Sequence, residues 1–233
     1  MPDGAKYQIM RIESQFFVPF SLSKFPLDDH NLTIAVEDSL RGAEELTYQI
    51  DRPDTGYSPT FAVSGWSLTG WTSNALINKY GSNFGDKRSS QASQFSQMVF
   101  NIGISRPVSY FVWKLLLPLV VVLYGAWIAL LLNPALTETR AALPASALLT
   151  TVFLQQSYTE SLPETGGLVL LDEIYVVAYV LIVITLARVI MKSRDVELMD
   201  DAQLRILRKK DGVVLSMQVI VFAIATLLIV LRW

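Results

Sequence analysis

TETRAALPASALLTTVFLQQSYTESLP, residues 137–163, is long enough to cross a bilayer but does not read as an ordinary anchor. Glu138, Arg140, Gln155, Gln156 and Glu160 stand among its apolar residues, with several Ser and Thr. Polar groups facing hydrocarbon are costly, so such residues are normally turned toward a protein interior or toward water. Ala142, Ser146, Leu149, Phe153, Gln156 and Glu160 recur at spacings of four and three, which is one face of a helix. Leu143, Ala147, Leu148, Val152 and Leu154 fall on the other faces and suit contact with neighbouring helices. On periodicity alone the polar stripe fits an ion pore, a transporter cavity or a buried bundle interface equally well. Pro144 cannot donate to the Arg140 carbonyl, so the helix either kinks there or begins there, with proline in its first turn.

Apolar runs flank this stretch. Residues 108–132 and 168–191 each have transmembrane length, and 213–233 is a further run. Pro118 inside the first is tolerable in a membrane helix, where neighbours can satisfy the freed carbonyl. With 52% hydrophobic and 17% charged residues, the 233-residue chain belongs to the membrane class. A net charge of −2 and the lack of a basic, aromatic-interleaved stripe give no sign of nucleic-acid binding. Without cysteine there is no disulfide, thiolate metal site or cysteine nucleophile. The single histidine, His30, cannot build a metal cluster or a catalytic triad, and beside Asp28 and Asp29 it reads as a solvated turn residue. No enzyme chemistry and no cofactor are expected.

Residues 1–106 change period. Leu32, Ile34 and Val36 alternate with polar neighbours, as do Met98, Phe100, Ile102 and Ile104, which is the pattern of half-buried strands. Dense turn signals separate such runs, as in RPDTGYSP and KFPLDD. The expected fold is therefore an α+β membrane protein. An antiparallel β-sandwich, partly represented by residues 1–106, precedes a four-helix transmembrane bundle in 107–233. Lys192, Arg194, Arg205, Arg208, Lys209 and Lys210 crowd the link before the last span, whereas Glu160, Glu164, Asp172 and Glu173 mark the opposite side. The basic side should be cytoplasmic, placing the β domain and the C-terminal Arg232–Trp233 outside a plasma (inner) membrane. AQLRILRKK reads as an amphipathic helix leading into the last span.

Several motifs together carry a family resemblance. KFPLDDHNLTI holds Phe25, Pro26 and Asp28 of a signature loop; SRPVSYFVWKLLLPL holds Arg106, Tyr110 and Pro118 of a junction into the first span; SALLTTVFL followed by TE and LP is close to a pore helix and its loop. With these motifs the chain resembles the pentameric ligand-gated ion channels, the Cys-loop receptor superfamily, in their prokaryotic form. Family members carry markedly more β domain before the signature loop, so the chain is expected to be a fragment lacking the N-terminal half of that domain. The resemblance implies a homopentamer whose pore is lined by Glu138, Ala142, Ser146, Leu149, Phe153, Gln156 and Glu160. It also implies a gating interface in which Phe25, Pro26, Leu27 and Asp28 press on Leu162, Pro163, Glu164 and Thr165, with Arg106 as the partner of Asp28.

In the family the basic residue near the pore entrance turns away from the axis and an acidic one lines the mouth, so Glu138 and Glu160 imply selectivity for monovalent cations. The ligand is open. Tyr80 and Phe84 flank one candidate loop but supply only two aromatics, too few for a cation–π cage. Asp38, Glu44 and Glu45 could bind Ca²⁺ or sense protons, although a solvated loop is the reading to expect of such residues. A secondary transporter, which should show internal repeats or broken helices, and a non-conducting receptor-like membrane protein remain as alternatives.

Overall fold

The computed structural model describes residues 6–85, 94–160, 162–163, 167–196 and 198–233. Two compact units emerge. One comprises residues 1–20, 30–63 and 68–104; the other comprises 21–29, 64–67 and 105–233.

In the first unit the alternating runs form strands β1 (Asp29–Glu37), β2 (Ser67–Lys79) and β3 (Gln94–Ser105), in the order β1-β3-β2. Side-chain bonds between Thr33 and Asn101 and between Glu37 and Gln97 run in opposite senses along β1 and β3, an antiparallel register. Leu32 and Ile34 are half-buried between exposed neighbours, as alternation requires, and Val36 is half-buried beside the exposed Ala35. Along β3 Ile104 is buried, but residues 97–103 are all half-buried and burial does not alternate there. Gly103 sits where a Cβ would collide with the Thr69 hydroxyl on β2. The expected two-layer sandwich is represented among the described residues by this one three-stranded sheet. His30 is corrected: it lies in β1, is buried, and stacks on Phe20 with ring centroids 4.1 Å apart. Packing against Phe20 takes the ring out of water, so the two preceding aspartates are a poor guide to its place.

The second unit holds the helices α1 (Val108–Leu131), α2 (Thr137–Thr159), α3 (Leu170–Val196) and α4 (Asp201–Arg232). By length and apolar composition, α1, α3 and α4 can cross a membrane; α2 is more polar than those three. Within α1, residues Phe111–Leu116 wind as a π-helix immediately before Pro118. In a regular turn the proline ring would strike the Lys114 carbonyl, and the wider turn relieves that clash. Helix α2 runs unbroken from Thr137, so it does not begin at Pro144, which sits buried inside it. Helix α4 opens on a full capping box. The Asp200 carboxylate accepts from Gln203 N at 2.8 Å, and the Gln203 side chain accepts from Asp200 N at 3.1 Å.

Lipid chains are as apolar as leucine, so helices in a bilayer associate through close packing and interhelical hydrogen bonds rather than through hydrophobic burial. Both occur here. Leu119, Leu123, Ala126, Ala147, Ile174 and Ala178 interlock in one buried cluster, and Trp127 of α1 meets Phe222 of α4 edge-on at 6.4 Å. Deep in the α3–α4 contact, the buried Thr185 hydroxyl donates to Gln218 Oε1 at 2.9 Å.

Candidate functional site

Helix α2 divides into two stripes. Arg140, Pro144, Ala147, Thr151 and Tyr158 are buried. Glu138, Ala142, Ser146, Leu149, Phe153, Gln156 and Glu160 are exposed, with Leu149 at 58% and Phe153 at 60%. The stripes are offset by two residues, or about 200° at roughly 100° per residue, so they stand back to back. Of the residues expected to touch neighbouring helices, Ala147 is buried and Leu143, Leu148 and Leu154 half-buried, whereas Val152 is exposed and Thr151 takes the inward place. The helix meets its own hydroxyls' needs: Thr150 Oγ1 donates to the Ser146 carbonyl and Thr151 Oγ1 to the Ala147 carbonyl, at 2.9 and 2.8 Å. On the exposed side Gln156 Nε2 donates to Glu160 Oε1 at 2.9 Å.

Arg140 explains how a cation can sit beside an exposed stripe without joining it. Its Nε donates to the Ala129 carbonyl of α1 at 2.7 Å and its Nη2 pairs with Asp211 of α4. Arg188 of α3 pairs with the other Asp211 oxygen at 2.8 Å. One buried carboxylate thus ties α2 and α3 to α4, and Arg140 adds α1 through the Ala129 carbonyl. Asp211 lies 71 positions from Arg140, and sequence reading did not find it.

At the other end, the loop 21–29 packs against the helices. Phe25 is 2% exposed and stacks with Tyr158 of α2 at a centroid distance of 6.3 Å. Pro26 is buried, Leu27 and Leu162 pack against the same cluster, and Leu170 N donates to the Ser23 carbonyl at 3.0 Å. Pro163 follows Leu162 directly, while Glu164 and Thr165 lie outside the described residues. Arg106 donates from Nε and Nη2 to the two Asp28 oxygens at 2.8 and 3.3 Å, and its backbone N donates to the Asp28 carbonyl at 3.0 Å. The guanidinium also lies over the rings of Trp66, Phe25 and Tyr110, at 4.3, 5.0 and 5.5 Å. Planar and weakly hydrated, it suits a fork to a carboxylate and stacking at once. The Trp66 contact carries no sequence signal, because forty residues separate the two.

In the sheet unit, Tyr80 packs edge-on to Phe84 at 4.8 Å and to Phe95 at 6.0 Å, and its hydroxyl donates to Glu37. Gln97 Nε2 donates to the same carboxylate at 3.1 Å. Donation to Glu37, followed by desolvation, holds the Tyr80 pKa above its usual value, so the phenol is neutral throughout the physiological range. Phe95, Gln97 and Glu37 were missed in the sequence because they come from the start of β3 and the end of β1, while Tyr80 follows β2. Asp38 is occupied locally: one oxygen accepts from Leu40 N and Arg41 N, each at 2.8 Å, and the other pairs with the Arg41 side chain at 2.9 Å. The Arg41 and Leu40 backbone donors hold its pKa below the ordinary carboxylate value. That contribution is present above the unfolded value, about 3.9, and is lost only as pH falls through the depressed one, so Asp38 does not titrate near neutrality. Glu44 and Glu45 are exposed, and no group of three or more metal-type ligands converges among the described residues.

No family model matches the chain. Over 186 residues, 77% of its length, it is 22% identical to the gamma-aminobutyric acid receptor subunit beta of Caenorhabditis elegans. It is also 22% identical over 186 residues to the gamma-aminobutyric acid receptor subunit beta-like protein of Drosophila melanogaster. The chain spans about a third of these curated relatives, 31% and 34% of their lengths. Both are receptor subunits rather than enzymes, and with three helices long and apolar enough to cross a membrane, this chain is similar to receptor subunits and has the build of a membrane protein.

Proposed function

We propose that the chain belongs to a homopentameric, ligand-gated, cation-selective channel, with α2 crossing the membrane as a fourth span and its exposed stripe lining the pore. One polar stripe cannot enclose a channel alone, and a closed ring of identical subunits is the ordinary solution. The observation that carries the reading is the division of α2. Arg140 is buried against Asp211, so the charged groups left on the exposed stripe are Glu138 and Glu160, one at each end. Five carboxylates per ring would concentrate cations and repel anions, an effect that salt screens. In this reading the sheet unit and the C-terminus lie outside the cell, residues 1–106 carry the ligand, and the Tyr80–Phe84–Phe95 group beside Glu37 is where it acts.

Two experiments test this. In asymmetric NaCl the reversal potential of the channel should move toward the Na⁺ equilibrium potential, and Glu138→Gln should reduce that shift more than Glu160→Gln. Movement toward the Cl⁻ potential would refute cation selectivity, and absence of any current in bilayers would remove the channel reading altogether.

The second concerns coupling through the Asp28–Arg106 pair, whose side chains are 1% and 16% exposed. Removing one partner of a buried pair costs about 3–5 kcal/mol. Asp28→Arg and Arg106→Asp should each abolish gating, and the double swap should restore part of it, at least about tenfold, or about 1.4 kcal/mol of coupling. Recovery stays partial because the stacking of Arg106 on Trp66, Phe25 and Tyr110 is lost. Strictly additive damage would show that the pair does not couple the loop to the pore.

A further inference from the structure

Asp172, in the first turn of α3, holds α2 from behind. Its Oδ1 accepts from the Tyr158 hydroxyl and from Gln155 Nε2, the latter at 3.2 Å, and its Oδ2 accepts from Val169 N at 3.0 Å. Gln155 is fixed at its other end as well, its Oε1 accepting from Tyr179 Oη of α3 at 2.7 Å. At about 100° per residue, Tyr158 lies roughly 160° from the middle of the exposed stripe and Gln155 roughly 140° from it on the other side. Both grips therefore fall opposite the stripe, where they set the rotation of α2 without touching what the stripe faces.

Tyr158 has a second connection. Phe25 of the loop 21–29 stacks on it, and Tyr175 lies against it at 5.3 Å. Beside the ring opens a cavity of about 320 Å³, lined also by Lys114, Pro118, Leu154 and Tyr175. Tyr158 thus has a partner that can push it, a hydrogen bond that holds it, and space to move into.

We propose that the Tyr158–Asp172 hydrogen bond is a rotational latch: it fixes α2 in the position described here, and displacement of Phe25 releases it and turns the stripe. This deepens the pore reading and rests on it. Asp172 and Tyr158 are positioning residues, acting through the orientation of α2.

Asp172→Asn is a near-isosteric probe that cannot satisfy the site. With its oxygen toward Tyr158 and Gln155, its amide faces the Val169 N–H, two donors in opposition; flipped, it opposes Tyr158 and Gln155 instead. Tyr158→Phe is the gentler variant, since it keeps the ring against Phe25 and removes only the hydroxyl.

Because the chain has no cysteine, single cysteines report on single positions. Gln156→Cys lies on the stripe, and Ser157→Cys lies about 100° round the helix from it. Their reaction rates with a charged methanethiosulfonate are to be compared in purified protein in nanodiscs, with and without Tyr158→Phe or Asp172→Asn. Loss of one hydrogen bond of about 1 kcal/mol should move the two rates in opposite directions, changing their ratio at least about fivefold. An unchanged ratio overturns the latch, and so does a parallel rise at both positions, which is loosening without rotation. Labelling needs no current, so failure of the latch and failure of the pore reading give different results.

Discussion

Asp211→Ala is expected to cost about 3–5 kcal/mol, the largest stability loss of any single substitution outside the packed apolar cluster. Asp211 is 2% exposed and accepts from both Arg140 and Arg188. Its removal leaves two guanidinium groups facing each other, one of them buried, with no counter-charge among the groups that now hold them. Among the described residues, Arg140 then keeps its bond to the Ala129 carbonyl. Thermal unfolding in detergent should show a transition shifted down by several degrees, and gel filtration should show loss of the proposed pentamer. Replacing all three residues with apolar ones of similar volume (Arg140→Met, Arg188→Met and Asp211→Leu) should recover most of the loss, because an unpaired buried charge is what destabilises, not the missing pair. A melting curve for Asp211→Ala that overlays the unmodified chain would show that the cluster does not hold the helix ends together.

The second large effect is expected at Leu149. Leu149 and Phe153 stand one turn apart on the exposed stripe, and apolar rings that close together expel water and block ions without a plug. In the proposed pentamer, Leu149→Ser would introduce five hydroxyls at the constriction. Standing current without ligand should rise at least about tenfold, which requires only about 1.4 kcal/mol of relative stabilisation of the open state across five subunits. The same substitution leaves the buried stripe untouched, so the melting temperature should hardly move. If leak current stays at the unmodified level, the gate lies elsewhere on the stripe.

The sequence discloses local structure better than pairings. Alternation marks β1 because its successive side chains differ in burial; β3 alternates in residue type although its burial is nearly uniform, and the long apolar runs mark α1, α3 and α4 because the bilayer sets their length. The exposed stripe of α2 is visible for the same reason. Its buried counterpart was equally legible: Arg140, Pro144, Ala147, Thr151 and Tyr158 also keep helical spacing. Arg140 and Pro144 drew attention as a charge and a helix breaker, which obscured their shared face. Pairings between distant segments leave no such periodic trace. Arg140 with Asp211, Tyr158 with Asp172 and Glu37 with Tyr80 become neighbours only once the chain is folded. The Asp28–Arg106 pair was foreseen because the motifs on both sides resemble a known junction, not because its spacing predicts contact.

Helix α4 is a single rod of 32 residues, about 48 Å long at 1.5 Å per residue. A hydrocarbon core of about 30 Å covers little more than its apolar part, from Val213 onward. The remaining turns, carrying the exposed Arg205, Arg208, Lys209 and Lys210, extend beyond it. An unkinked rod answers a thicker or thinner bilayer by tilting. Asp211, bound to α2 and α3 at the edge of the apolar part, is then the fulcrum, and Arg140 is the first group to feel the torque. In the proposed channel, a change of that tilt would load the start of α2 before any other part of it.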